Sequence, residues 1–384
     1  MKHLHIFTVF STSESFFDGQ FKYFADQGED IVVVSSNNPR ASAFAERNNI
    51  RFQPVEIPRS LNPKAIFNAI KEIYTIIKQE NPDVVFGHTP VGALCAMVAA
   101  KFCGVNNRIY YRHGLIYTTM KGLKYHIFRL EEKFVASLAT SIINVSHSLS
   151  KLADKDSLNP SFKNNVIGLG TCGGIDAHNI FNPQLIKQPI LLEKLTRLGL
   201  KNADIIFGFC GRLCVDKGIP ELVDAFINFK NNYSEINSKL LLIGSLDERD
   251  ILPQQIVDTI LNHNDIVVTG WIDKVDIPYY YSMLDVFVFP SHREGFGMCV
   301  IEASAMEKPI LVSRSHGCVD SIVEHMTGEY IDLNAESISK GMELMLDDSV
   351  RKFLGKNGRK RVLENYDCRI MWPLIKKLYE KILK

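Results

Sequence analysis

The stretch Asp204–Phe229, DIIFGFCGRLCVDKGIPELVDAFINF, decides the fold. An apolar run closes at Gly211, a polar loop follows, and behind Pro220 apolar residues recur at helical spacing. Strand, loop and helix in that order are the repeating unit of a parallel α/β sheet, because a parallel neighbour is reached only by a crossover. Four further strands follow with helical patterns between them: SKLLLIGS (238–245), DIVVTGW (265–271), LDVFVFPS (284–291) and KPILVSR (308–314).

The same rhythm runs through the first half. HLHIFTVF (3–10) reads as a strand, the turn-rich STSES (11–15) and an amphipathic stretch lead to Gly28, and DIVVVSS (30–36) supplies a second strand. A helix over 62–82, a strand in DVVFGH (83–88), a buried helix in VGALCAMVAAKFCG (91–104) and a strand in NRIYYRHG (107–114) follow. SIINVSHSL (141–149) and NNVIGLG (164–170) close this half. The boundary is expected near 168–190, with the last helix, MWPLIKKLYEKILK (371–384), returning to the first domain. Loops at the carboxyl ends of the strands, and a cleft between two such domains, are the expected place for a ligand.

A chain of 384 residues, 46% hydrophobic and 23% charged, belongs with globular proteins and is long enough for two cores. Its N-terminus shows no cleavable leader and no segment reaches the roughly 18 apolar residues that span a bilayer, so cytoplasmic residence is expected. None of the eight cysteines forms a C-x-x-C pair, so they read as reduced thiols used as small core residues. The net charge of +1 hides an asymmetry: residues 1–165 hold 19 Lys and Arg against 14 Asp and Glu, which makes this half the one suited to an anionic surface. No aromatic-basic stripe or zinc spacing accompanies it, and a nucleic-acid partner is not expected.

No G-x-G-x-x-G follows the first strand and no G-x-x-x-x-G-K-[ST] occurs, which disfavours a nicotinamide enzyme or a P-loop ATPase. Arg212 and Lys217 share one strand-to-helix loop with Gly211 and Gly218, which suits a diphosphate clamp, a fork plus a point charge, as well as it suits two solvated cations. FPSHREGFGMCVIEASAMEKP (289–309) repeats the form at another strand end. The backbone of Gly295, Phe296, Gly297 and Met298 can approach an anion ahead of a helix, with Glu302 about two turns into that helix and Glu294 at the strand end. Two acids so placed fit hydroxyls of a bound ligand, or a helix cap and a surface pair.

These residues carry a family resemblance. Gly211-Arg212 with Lys217-Gly218, and Glu294 with Glu302 in E-x7-E spacing, resemble the retaining glycosyltransferases of the GT4 class, which have the GT-B fold. GTCGGIDAHNIFN (170–182), the stretch 267–291 and GCVDSIVEHMTG (317–328) look like further segments of that class. Residues 86–115 are most similar to bacterial enzymes that assemble capsule or other surface polysaccharides. The resemblance implies two Rossmann-like doubly wound α/β domains facing across a cleft. Residues 1–170 would form the acceptor side, 171–365 the nucleotide-sugar donor domain, and 366–384 a helix packing back on the first.

It also implies roles. Arg212 and Lys217 would bind and neutralise the diphosphate, aided by backbone amides from Gly295 to Met298, with Glu302 on the ribose and Glu294 on the donor sugar. His113, in YRHG, matches the class histidine that faces the donor sugar. Where many relatives have a Gly-Gly pair, this chain has STSESFFDGQ, so Ser13, Glu14 and Ser15 line the acceptor side without a role by matching. The expected reaction moves a sugar from a nucleotide sugar, UDP by family habit, to a saccharide acceptor carried on a lipid diphosphate. The two cations take the place of a divalent ion, so no metal and no cofactor is expected. Residues 118–134, TTMKGLKYHIFRLEEKF, read either as an amphipathic membrane-surface helix, which would place the enzyme on the inner face of the membrane, or as an ordinary half-buried helix. A GT-B-fold nucleotide-sugar epimerase and an inactive nucleotide-sugar-binding protein are the competing readings.

Overall fold

The computed structural model describes residues 1–171 and 173–383. Cys172, within the GTCGG segment, and Lys384, at the end of the last helix, lie outside the described residues. The chain divides into two compact units, Met1–Gly174 with Cys368–Lys384, and Ile175–Asp367. Both divisions fall a few residues beyond the expected 170 and 365.

The first unit holds seven strands: β1 (Lys2–Ile6), β2 (Asp30–Ser35), β3 (Arg51–Pro54), β4 (Val84–His88), β5 (Asn107–Arg112), β6 (Ser141–Asn144) and β7 (Asn164–Val166). All pair in parallel in the order β3-β2-β1-β4-β5-β6-β7. Parallel strands are covered on both faces, and β4 is buried along its whole length, as an unbroken apolar run requires. The helix Pro63–Glu80 starts on Asn62, whose side chain accepts from Ala65 N, and turns Ala69, Ile73, Ile76 and Ile77 inward. Pro90–Phe102 buries residues around most of its circumference, which matches its nearly uniform apolar sequence.

Two local expectations are corrected. STSES is not a turn: it lies within the helix Phe10–Phe17, whose Phe10 and Phe17 are buried and draw the polar residues between them into helical form. β3 went unread because RFQP is a short edge strand, partly exposed at every residue, without an apolar run. The last helix, Cys368–Ile382, packs within the first unit. Trp372 Nε1 donates to Gly173 O at 2.8 Å, and Tyr379 stacks on Phe24 with ring centroids 5.6 Å apart.

The second unit holds β8 (Ile205–Cys210), β9 (Ser238–Ile243), β10 (Ile266–Val268), β11 (Val286–Phe289), β12 (Ile310–Ser313) and β13 (Gly328–Ile331). They too are parallel, in the order β10-β9-β8-β11-β12-β13. In both sheets the order reverses beside the first strand, at β1/β4 and at β8/β11. There successive connections leave toward opposite edges and open a crevice at the carboxyl ends.

Candidate active site

β8 and β11 are neighbours at that reversal, so the loops that leave them meet. Beyond β8 come Gly211, Arg212 and a single turn, Val215–Lys217, before the helix Ile219–Asn232. Gly218 joins turn and helix at φ +71°, and a Cβ there would lie 1.9 Å from Pro290 O. The loop carrying the two cations is thus pressed against the start of the loop after β11. Gly317, at φ +83°, comes as close to the same loop, its virtual Cβ 2.6 Å from both Glu294 O and Gly295 O. The hydroxyls of Ser313 and Ser315 donate to Ser291 O at 2.6 and 2.8 Å, tying β12 to it.

Within this frame Lys217 Nζ donates to Glu294 Oε1. Both side chains are recessed, at 15% and 16% exposure, and the ammonium also stands 5.7 Å from the Phe289 ring centroid. Burial works against the Lys217 charge, but the Glu294 carboxylate outweighs it and holds the lysine above its ordinary pKa. Arg212 is half-exposed, and its Nη1 donates to Asp247 Oδ2 at 2.6 Å. Asp247 is buried just past β9 and accepts the backbone N–H groups of Arg249 and Asp250. Burial opposes its charge, yet Arg212 and those amides keep the carboxyl well below the usual range. Arg212 is therefore anchored at one end of its fork. Arg293 pairs with Asp216 at 2.7 Å and His292 with Glu221 at 2.9 Å, two further ties between the loops after β8 and β11.

Glu302 is the fifth residue of the helix Met298–Ala305, little more than one turn in rather than two. Its Oε2 accepts from Tyr281 Oη at 2.8 Å. Gly295 and Phe296 lie in the loop before that helix, with Gly297 at its N-cap and Met298 its first residue, and the Phe296 ring is buried 5.4 Å from that of Tyr366. Burial pushes the Glu302 carboxyl from 4.5 up to about 7, partly offset by the Tyr281 hydrogen bond. A raised carboxyl pKa means that between these values the folded chain holds a proton the unfolded chain has lost. Stability from this group therefore falls as pH rises through that window, and the full cost is present above about 7. Glu302→Gln is expected to raise the melting temperature relative to the parent at pH 8, by an amount worth about 1–3 kcal/mol. It should do so little or not at all at pH 4.5. Paired calorimetric scans at the two pH values check this, and an equal gain at both would count against it.

The remaining expected residues lie in the first unit. Ser13 is buried, its hydroxyl donating to Phe10 O at 2.7 Å, so it does not line a surface. Glu14 is held by Arg40 at 2.9 Å and Arg47 at 3.2 Å, and only Ser15 of the three is exposed. His113 follows β5 directly, and its Nε2 is 3.0 Å from His88 Nδ1. The chain's one Asp-x-Asp triplet, Asp154-Lys155-Asp156, is occupied within this unit. Asp156 accepts from Tyr117 Oη at 2.6 Å and Asp154 from Asn164 at 2.9 Å.

The structure thus brings together Gly211, Arg212, Lys217, Glu294, Gly295 to Met298 and Glu302 on one sheet's carboxyl edge. His113 and the Ser13–Ser15 segment belong to the other unit. Sequence reasoning missed Asp247, Tyr281 and His88. Asp247 had a readable signal, an acidic cluster directly after a strand, but its pairing with Arg212 depends on β9 lying beside β8. Tyr281 sat in an apolar helical run where nothing marked its hydroxyl.

Two doubly wound parallel domains, with a lysine–carboxylate pair and an anchored arginine on adjoining strand-end loops of the second, define a GT-B glycosyltransferase. Residues 193–361 match the family model "Glycosyl transferases group 1", and residues 5–146 match "Glycosyl transferase 4-like". The capsular polysaccharide biosynthesis glycosyltransferase CapM of Staphylococcus aureus is 32% identical, covering 100% of this chain and 99% of that one. The chain belongs to this family of glycosyltransferases. An Escherichia coli UDP-Gal:alpha-D-GlcNAc-diphosphoundecaprenol alpha-1,3-galactosyltransferase is 23% identical over 94% of this chain and 91% of its own. Anabaena HepE, solved in complex with UDP and glucose, shares the fold with a TM-score of 0.82 at 15% identity, covering 99% of this chain and 100% of that one.

Proposed function

We propose that the protein transfers a sugar, with retention of anomeric configuration, from a UDP-sugar to a saccharide acceptor borne on a lipid diphosphate, in the synthesis of a bacterial capsule or related surface polysaccharide. The observation that carries this reading is the recessed Lys217–Glu294 pair beside Arg212, two cations and a carboxylate on loops that the packing at Gly218 and Gly317 holds together. Lys217 and the exposed end of Arg212 offset the charge that grows on the departing diphosphate. Glu294, already bound to Lys217, accepts from donor-sugar hydroxyls, and Glu302 accepts from the ribose diol. The backbone from Gly295 to Met298 completes the diphosphate cradle, and His113 serves the donor sugar.

The engagement of the two acids favours binding roles over those of a glycosidase-type carboxylate pair, since Glu294 is held by Lys217 and Ser291 and Glu302 by Tyr281. The acceptor hydroxyl then attacks C1 on the face the diphosphate leaves. The C1–O bond to phosphate breaks, the new glycosidic bond forms, and a diphosphate oxygen takes the acceptor proton. Catalysis rests on positioning and charge stabilisation. The S. aureus and E. coli relatives support the pathway, the nucleotide and the diphosphate-linked acceptor.

A thermal-shift panel of nucleotide sugars tests the donor, because a ligand at 100 times its Kd adds about 2.7 kcal/mol. Product formation from the best donor with a polyprenyl-diphosphate saccharide then tests the reaction. Donor isomerised without acceptor would indicate an epimerase, and binding without turnover a sensor. With the two cations in the role of a divalent ion, EDTA should leave the rate within about twofold. A larger loss restored by magnesium would overturn that expectation.

The acceptor class bears on the helix Gly122–Leu138. Leu123, Ile127, Leu130 and Phe134 are exposed at i, i+4, i+7 and i+11, so they form one stripe, flanked by Lys124 and Lys133. Among the described residues no helix is long and apolar enough to cross a membrane. The stripe is expected to rest on anionic lipid. Sedimentation with vesicles rich in phosphatidylglycerol should retain several times more protein than with phosphatidylcholine alone, and Leu130→Glu with Phe134→Glu should abolish the difference. Equal retention on both lipids would refute it.

A further inference from the structure

His113 does not stand alone at the end of β5. His88 is the last residue of β4, and His5 lies one residue before the end of β1. The register places His5 opposite Phe86 and His88 opposite Tyr111. Each step to the next strand thus moves two residues toward the carboxyl end. Because side chains alternate along a strand, the three imidazoles share one face of the sheet and meet as diagonal neighbours. His5 Nδ1 is 3.0 Å from His88 Nε2, and His88 Nδ1 is 3.0 Å from His113 Nε2. His5 and His88 are buried, whereas His113 is partly exposed. The walls are apolar: His5 stacks on Phe86 at 4.2 Å and His88 on Phe7 at 4.0 Å, with Phe17 and Phe21 alongside.

The chemistry of such a chain is restrictive. A neutral imidazole has one N–H and one bare nitrogen, and His88 uses both of its nitrogens on other histidines. If His113 donates to His88, then His88 must donate to His5. If His5 donates to His88, then His88 must donate to His113. Intermediate patterns set two N–H groups, or two bare nitrogens, against each other. Burial first, and the neighbouring imidazoles second, keep His5 and His88 well below the ordinary histidine pKa, and burial takes His113 down to about 3.

We propose that His88 and His5 are positioning residues for sugar transfer, fixing His113 in a single tautomer and so setting whether its Nδ1, which the chain does not use, donates or accepts toward the donor sugar. The inference rests on the glycosyltransferase reading for its consequence, but not for the tautomer itself. His88→Phe keeps an aromatic ring among the aromatics and removes both N···N contacts, while His88→Asn retains a polar group near the position of Nδ1, facing His113.

Side-chain nitrogen NMR of the full-length protein between pH 6 and 8 reads the tautomer directly, with His113→Asn assigning the signal. The parent should show His113 as one neutral tautomer, and His88→Phe should show a mixture or the opposite form. In the transfer assay His88→Phe should lower kcat about tenfold with the donor KM within about twofold. His88→Asn should recover most of that loss, and His5→Phe should shift the NMR signal in the same sense as His88→Phe. An unchanged His113 tautomer in folded His88→Phe overturns the proposal, as does a mixed tautomer in the parent. A tautomer that shifts as expected in a protein without transferase activity would instead refute the functional reading and leave the histidine chain intact.

Discussion

Lys217→Ala is expected to lower kcat by at least about a hundredfold in a protein that folds and melts like the parent. Losing one group that stabilises charge on a leaving oxyanion costs about 3–4 kcal/mol of barrier. The structure adds a second consequence, because Lys217 Nζ is bonded to Glu294. Without the ammonium the carboxylate keeps only the Ser291 hydroxyl, at 3.4 Å, and would stand as a negative charge beside a diphosphate. The Lys217→Ala/Glu294→Ala double variant should therefore lose less than the product of the two single losses. Lys217→Arg should rescue poorly, since a planar fork replaces a point charge in a recess where the lysine is 15% exposed. Arg212→Ala should also cost about a hundredfold, with Asp247 left without its cation. Steady-state kinetics on purified variants decide the matter, and near-normal turnover in a folded Lys217→Ala protein would remove it from the diphosphate site.

Glu132→Ala should destabilise the first unit by about 3–5 kcal/mol, a large share of the 5–15 kcal/mol typical of a folded domain. Arg112 is fully buried, and its fork is fully engaged: Nε donates to Glu132 Oε1 at 2.7 Å, Nη1 to Asn144 at 2.8 Å and Nη2 to Asn159 at 2.9 Å. Tyr110 Oη donates to the other carboxylate oxygen at 2.9 Å. Removing the carboxylate leaves a guanidinium in the interior with neutral partners only. Replacing the pair by Arg112→Met with Glu132→Leu should recover much of the loss, because both desolvated charges then disappear. Denaturant unfolding measures each variant, and a loss below about 1 kcal/mol for Glu132→Ala would show that the pair is not the anchor. Arg112 immediately precedes His113, so the same network fixes the strand end from which that histidine projects.

Much of the second unit was legible because its signals are local. The apolar runs of β8, β9, β11 and β12 and the loop residues Gly211, Arg212, Lys217 and Gly218 lie within single strand-to-helix units. The first unit was read less well near its start. Ser11 to Ser15 have turn-like composition, but Phe10, Phe17 and Phe21 bury that segment as helix, and tertiary packing overrides weak local preference. Ser13 was lost as a surface residue for that reason.

The sequence by itself determined the parallel α/β architecture, the family, and the identity of the cations and acids, because periodicity and strand-end loops are written in neighbouring residues. Only the tertiary structure decided their partners. Lys217 meets Glu294 across 77 residues, Arg212 meets Asp247 across 35, and His5 meets His88 across 83. Those meetings follow from strand order and register, which bring distant strand ends side by side and which local pattern does not specify.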